Sequence, residues 1–520
     1  MVITSIITYM IKSLISVLLV TTFVEGQSMP ASPLTATSIE TVQPVCPAFT
    51  RVKDNPVIGF RISVTGTEGA ISLEKILLSF AGTSVTDSIA SYRIVAGSSV
   101  PDLTKSKEVI AGEEFPEKMV LKPNFPLTTG DNWFWLSVRL KDDASLDGHL
   151  DASIYGVTVA GKNLVPEQAS PPGGQRIGCA VRIPGDDGSK SFRIPGLVRT
   201  KAGSLIAAYD VRYQHSRDLP ADIDVGISRS TDGGKHWEPM RIAMDMGRDP
   251  KFGYDGIGDP CILVDPSNGR IWISALWSHG NRGWNGSAAG LSPDETGQWM
   301  MVFSDDDGKT WSQPENHTNE LKNPEWKLFF NGPGSGFALK NGTLVFPAQY
   351  RAADGKPWST IVWSDDHGKQ WHTGVGVKSD TTEAQVVQLA DGSVMINCRD
   401  NRGGSRTIAV SSDLGKSWQL HPTDRKALRE PVCMASLFSW NRKQRSELWF
   451  SNPNATNGRH SMTLKRSLDQ GMTWPEKEHL LYDARPGFGY SCIAAVDDQH
   501  LGVIYEGNSS LYFLRFNITD

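Results

Sequence analysis

Between residues 133 and 140 apolar side chains fall on every second position. Phe134, Leu136, Val138 and Leu140 share one face, the period of two that marks a β-strand with a buried side. Shorter apolar runs at 60–64 and 76–80, with glycine and aspartate turns between them, predict further strands. Together they describe a β-sandwich-like unit over residues 27–175, readable either as a carbohydrate-binding module or as a packing domain. Pro166, Pro171, Pro172, Gly173 and Gly174 supply a linker-like break after it.

Beyond the break the pattern becomes repetitive. Ser230-Thr-Asp232-Gly-Gly234-Lys-His-Trp237 recurs with its first serine at Ser304, Ser364, Ser411 and Ser467, so the serines stand 74, 60, 47 and 56 residues apart. Such spacing fits one four-stranded antiparallel blade per repeat, as in a propeller. Each position of the repeat has a structural task. Serine and aspartate bond the local backbone of a tight turn, glycine takes a φ that other residues resist, and tryptophan covers the gap between blades with a large apolar face. The repeat is therefore a fold staple, and chemistry must come from residues outside it.

Composition narrows the classes. The chain has 520 residues and a formal net charge of −5 without any run of basic residues, which argues against a nucleic-acid reader. Six cysteines are scattered at Cys46, Cys179, Cys261, Cys398, Cys433 and Cys492. They form no disulfide scaffold and no C-x-x-C metal pair. Lys12 followed by the apolar run Leu14 to Val24, then Val24-Glu25-Gly26, reads as a signal peptide over residues 1–26. No segment reaches the 18 apolar residues of a membrane span. Export to the periplasm or the extracellular medium is the expectation. Of 16 tryptophans only Trp133 and Trp135 precede residue 180, and the five box tryptophans account for part of that asymmetry.

Ahead of the first repeat stands Phe192-Arg193-Ile194-Pro195. A Phe-Arg-Ile-Pro motif followed by serial Asp-boxes resembles the sialidase (neuraminidase) family, in particular secreted bacterial exo-sialidases. The resemblance covers about residues 176–520 and implies an all-β fold, a six-bladed β-propeller preceded by the sandwich-like domain. Five blades carry boxes, so one should lack it. It also implies a set of site residues. Arg193, Arg399 and Arg459 match three arginines that hold the substrate's carboxylate, a task suited to a planar, permanently charged fork of donors. Arg466, just before the fifth box, is a rival for the third position and reads as a strand residue. Asp218 matches the acid/base, with Asp222 and Asp224 as rivals in the same stretch. Arg212 and Asp259 match substrate-pocket residues, and Trp277, Trp284 and Gln349 are candidates for the pocket of the acetamido group.

Glu383 and Tyr490 match the family's nucleophile pair. Sialidases are a known exception to the two-carboxylate rule of glycosidases. The physical reason is that the anomeric carbon already bears a carboxylate, so an attacking carboxylate would be repelled, whereas a phenol stays neutral until Glu383 removes its proton. The implied reaction is hydrolysis of terminal sialic acids by a retaining double displacement. Sialylated glycans are the partners, and neither a metal nor an organic cofactor is needed. Residues 454–458, which precede Arg459, hold no aromatic acceptor platform, which favours hydrolysis over transfer. A non-catalytic sialoglycan-binding propeller and an intramolecular trans-sialidase are the alternatives, and the oligomeric state stays open.

Overall fold

The computed structural model describes residues 31–116, 118–247, 255–280, 282–442 and 445–518; the expected signal peptide lies outside them. Two five-stranded sheets form the first unit. One runs Thr35–Val42, Asn55–Thr65, Gly130–Leu140, Ile89–Gly97, Lys107–Gly112. The other is built on Lys162–Leu164, Ser153–Val159, Ile71–Ser79 and Lys118–Leu121, with Phe125–Leu127 on its side. The alternation at 133–140 does what it should: Phe134, Leu136, Val138 and Leu140 are all buried in the sandwich core. The opposite face is also covered in part, since Trp135 packs on Val95 and Leu103.

From residue 175 onward antiparallel sheets follow one another. The first comprises Ser191–Arg199, Leu205–Arg212, Ile223–Ser230 and Arg241–Met244. The second begins at Gly256–Val264, the third is built on Leu344–Arg351 and Pro357–Ser364, the fourth begins at Thr381–Gln388, and the fifth at Ser436–Arg442. The sixth joins Ser491–Ala495, His500–Glu506 and Leu511–Asn517 to Gln175–Arg182, a strand from far earlier in the chain. Inner strands of successive sheets touch in order, and Ser491–Ala495 returns to Ser191–Arg199, which closes the ring. The sandwich is fastened to that closure. Ala48–Thr50 pairs parallel with Gln175–Arg182, His149–Leu150 pairs antiparallel with the start of the same strand, and one core runs from Phe60 and Phe134 through Ile177 to Phe192 and Phe513. Among the described residues no helix is long and apolar enough to cross a membrane.

Each of the five boxes occupies the turn between the third and fourth strands of its sheet. In all five the serine Oγ donates to the aspartate and accepts the glycine N–H, at 2.8–3.0 Å. The glycines have φ of 76–89°, a region that favours glycine, and each lies against the preceding sheet. A Cβ on Gly308 would stand 2.4 Å from Ile206, and one on Gly368 2.4 Å from Trp272. The sixth sheet carries no box for a topological reason: its outer strand arrives from residue 175, so no turn joins it to Leu511–Asn517.

The box carboxylates are titratable staples. At Asp306 burial pushes the pKa up, but bonds from Thr310 and Ser304 outweigh it and hold the group at about 2. Bonds from Ser417 and Ser411 hold Asp413 at about 2 as well. Unfolded aspartate titrates near 3.9, so these groups stabilise the fold fully above that value and lose the contribution as pH falls towards 2. Thermal melts between pH 7 and 2 should therefore show a midpoint that drops mainly below about pH 4. Box variants Asp306→Asn and Asp413→Asn should flatten that acid limb, and an unchanged limb would contradict the assignment.

Candidate active site

Antiparallel order puts the starts of first strands and the ends of second strands at one rim, and the boxes at the other. The residues singled out above gather at the first rim, and local irregularities aim them. The first strand of sheet one is bulged between Arg193 and Gly196, that of sheet two between Gly258 and Cys261, and that of sheet four between Thr381 and Ala384. Asp259 and Glu383 stand in those bulges, and Arg193 borders the first. A bulge breaks the ladder and redirects a side chain, and Pro195 and Pro260 sit where ladder N–H groups are not needed. Ile194 and Asp259 have φ of 57°, a cost accepted where surrounding structure imposes it.

A cavity of about 380 Å³ opens there, lined by Asp218, Asp259, Glu383, Arg399 and Tyr490 among others. The Tyr490 hydroxyl donates to Glu383 Oε1. Arg399 Nη1 reaches Glu383 Oε2 at 2.6 Å and the Tyr490 oxygen at 2.9 Å, while its buried Nε has no partner among the described residues. The guanidinium carbons of Arg193 and Arg459 each lie 5.5 Å from the centre of the Tyr490 ring. Arg459 is fixed by the carbonyls of Phe488 at 3.0 Å and Val432 at 3.1 Å. Burial and then the Glu383 charge push the Tyr490 phenol well above its ordinary pKa, against the pull of Arg399. The phenol is thus neutral, with its proton directed at a carboxylate.

Asp218 accepts from Arg193 Nη1 at 3.1 Å and Arg212 Nη1 at 2.8 Å. Partial loss of hydration raises its pKa, but the charges of Arg212 and Arg193 outweigh this and leave the carboxyl below its usual range. Asp259 goes the other way. Burial first, then the charges of Asp210, Asp218 and Glu383, raise it well above the ordinary value. The rivals are elsewhere. Asp224 accepts the Tyr213 hydroxyl at 2.8 Å, and Asp222 does not line the cavity. Arg466 lies in Met462–Ser467 and pairs with Glu447 at 2.7 Å. Trp284 and Gln349 line the cavity, but Trp277 does not. In Ile271–Ser278 alternate side chains face opposite ways, so Leu276 and Ser278 meet the cavity while Trp277 packs against the core between sheets one and two.

Two carboxylates of the site escaped the sequence reading. Glu506 is buried at the end of the sixth sheet's second strand. Its Oε1 accepts Arg193 Nε at 3.1 Å and the Ile194 N–H at 2.8 Å, and its Oε2 accepts the Tyr490 N–H at 3.0 Å. Asp210, also buried, takes Arg212 Nη2 at 2.7 Å and the Asp259 N–H at 2.8 Å, so it braces both. Asp210 was findable as a charged residue two places before Arg212 on the same strand face; Glu506 was visible only as a charge ending an otherwise apolar strand.

Two family models match this chain: the BNR repeat-like domain over residues 203–503 and the N-terminal domain of BNR-repeat neuraminidase over 36–163. Fold and site together thus define a BNR-repeat protein of the neuraminidase type. A sialidase of Bacteroides fragilis is 44% identical over 401 residues, spanning 75% of this chain and 74% of that protein. A sialidase of Micromonospora viridifaciens is 31% identical over 391 residues, 71% of this chain and 59% of its own length. Among solved structures, the Hadza microbial sialidase Hz136 matches with a TM-score of 0.86 at 38% identity, covering 92% of this chain and 99% of that one. The chain belongs to the sialidase family.

A carboxyl raised by folding costs stability at pH values above its unfolded value near 4, and the cost fades as pH falls towards that value. Asp259→Asn should therefore melt above the wild type at pH 7.5, with the difference shrinking towards pH 4 in paired melts. A difference independent of pH would contradict a raised Asp259.

Proposed function

We propose that this protein is an exo-α-sialidase, a glycoside hydrolase that releases terminal sialic acids from glycoproteins, glycolipids and oligosaccharides with retention of configuration. The observation that carries the reading is the buried Tyr490 phenol hydrogen-bonded to Glu383 and Arg399, beneath two further guanidiniums. A lectin needs the arginines but has no use for a phenol paired to a base.

Arg193, Arg399 and Arg459 would hold the substrate carboxylate. Tyr490 attacks the anomeric carbon while Glu383 takes the phenolic proton, and Asp218 gives a proton to the leaving oxygen. Water, deprotonated by Asp218, then frees the sugar. In the unliganded site Asp218 is held ionised by Arg212 and Arg193. A substrate carboxylate on Arg193 offsets part of that positive charge and moves Asp218 towards the protonated form that an acid requires. Arg212 and Asp259 would contact ring substituents, and Trp284 and Gln349 the acetamido group. The six sheets of the ring are read as six blades, residues 176–520 as the catalytic unit and 27–175 as an accessory unit after an export signal at 1–26. No cofactor enters this chemistry, and sialylated glycans are the partners.

A fluorogenic α-sialoside and a sialylated oligosaccharide, compared across pH 4–8, test the roles separately. Tyr490→Phe should lose most activity on both. Asp218→Asn should lose about 10²–10⁴-fold on the oligosaccharide and far less on the activated phenol leaving group, which needs little protonation. Binding without product, or an anhydro sugar in place of free sialic acid, would contradict the hydrolase.

A further inference from the structure

Arg399 and Arg459 come from different sheets, yet both are braced by one buried ion pair outside the cavity. Glu430 lies in Arg429–Glu430, paired with Gly404–Ser405. Its side chain and that of Arg406 are both 0% exposed. Glu430 Oε1 accepts the N–H of Asp400, the neighbour of Arg399, at 2.8 Å. Its Oε2 accepts Arg406 Nη1 at 2.8 Å and the Cys433 N–H at 3.4 Å. The other donors of Arg406 return to the Arg399 strand, at Asn397 Oδ1 (2.7 Å) and Asn397 O (3.1 Å), and Nη1 also reaches Cys433 O at 2.6 Å. The ion pair therefore locks the turn at 430–433 onto Val394–Asp400.

That turn presents the Val432 carbonyl, which accepts Arg459 Nη2 at 3.1 Å. Val432 has φ of 56°, a left-handed conformation that a β-branched residue adopts only under constraint. The constraint is at hand on both sides of it, in the Glu430 carboxylate and in the Cys433 peptide that Glu430 and Arg406 grip from both ends. A charged pair buried so completely is a weak source of stability, and conformational definition is the better account of it. We propose that Glu430, through Arg406, is a positioning residue that sets Arg399 and Arg459 at the separation a carboxylate needs. It touches neither the cavity nor a reacting atom. The proposal rests on the reading of those two arginines as the carboxylate clamp.

Glu430→Gln tests it. The amide keeps an acceptor for Asp400 but sets N–H donors against Arg406 and the Cys433 N–H, which frees the turn. Carboxylate binding is shared by ground and transition states, so KM for the fluorogenic sialoside should rise about tenfold to a hundredfold while kcat changes less than about threefold. The affinity for free N-acetylneuraminic acid, measured by calorimetry, should fall in proportion to KM. A merely architectural role would lower the melting midpoint and the active fraction while KM and affinity of the folded protein stayed as in the wild type, and that result overturns the proposal. Should Glu430→Gln not fold, Val432→Gly relieves the strained φ without touching the ion pair. It should raise KM with an unchanged or higher midpoint, and an unchanged KM overturns the proposal. A wild type that binds N-acetylneuraminic acid without cleaving the sialoside overturns the hydrolase reading alone, and the calorimetric comparison still decides the role of Glu430. A wild type that does not bind the sugar overturns both.

Discussion

A site that gathers cationic side chains in one cavity has to neutralise them without covering them, and the Glu506 carboxylate does this at the point where the ring closes. It takes the Arg193 side chain, the Ile194 N–H and the Tyr490 N–H together. An arginine buried without such a partner would cost several kcal/mol. The same contacts join the first sheet to the sixth, whose outer strand is Gln175–Arg182. Ring closure, the seating of Arg193 and the seating of Tyr490 are consequently one structural event, and the sandwich takes part in it through Ala48–Thr50.

The two rims divide the work. At one, regular Asp-box turns bond their own backbone and pack their glycines on the preceding sheet. At the other, bulged first strands give up ladder bonds beside Arg193 and at Asp259 and Glu383, the last two of which line the cavity. The positive φ of Ile194, Asp259 and Val432 costs of order 1–3 kcal/mol each. Repetition at the far rim supplies the stability that irregularity at the near rim consumes, which is why the motif that reveals the fold is remote from the chemistry.

Short-range pattern made much of this readable from the chain. Period-two alternation located the strand at 133–140, and the five boxes located the turns, because both depend on neighbours in sequence. The candidate site residues were named through motifs, and five of them, Asp218, Asp259, Glu383, Arg399 and Tyr490, line one cavity. What stayed hidden depends on distant partners. Glu506 meets Arg193 across 313 positions, and the Glu430–Arg406 pair has no local signature at all. Trp277, a candidate for the acetamido pocket, does not line the cavity, because its neighbours Leu276 and Ser278 have the phase that meets it. The contribution of Ala48–Thr50 to the sixth sheet was likewise invisible, since a three-residue strand has no period to detect.

In the proposed reaction charge is kept off the nucleophile until attack. Tyr490 is held neutral by burial and by Glu383, so the substrate carboxylate meets arginines rather than an anion. Incubation with a 2,3-difluorosialic acid, in which the ring fluorine slows release of the intermediate, followed by mass spectrometry of the digested protein, reads out which atom attacks. One sialosyl adduct is expected on the peptide carrying Tyr490, absent in Tyr490→Phe. An adduct on Glu383 or another carboxylate, or steady turnover of sialosides with inversion and no adduct, would contradict it.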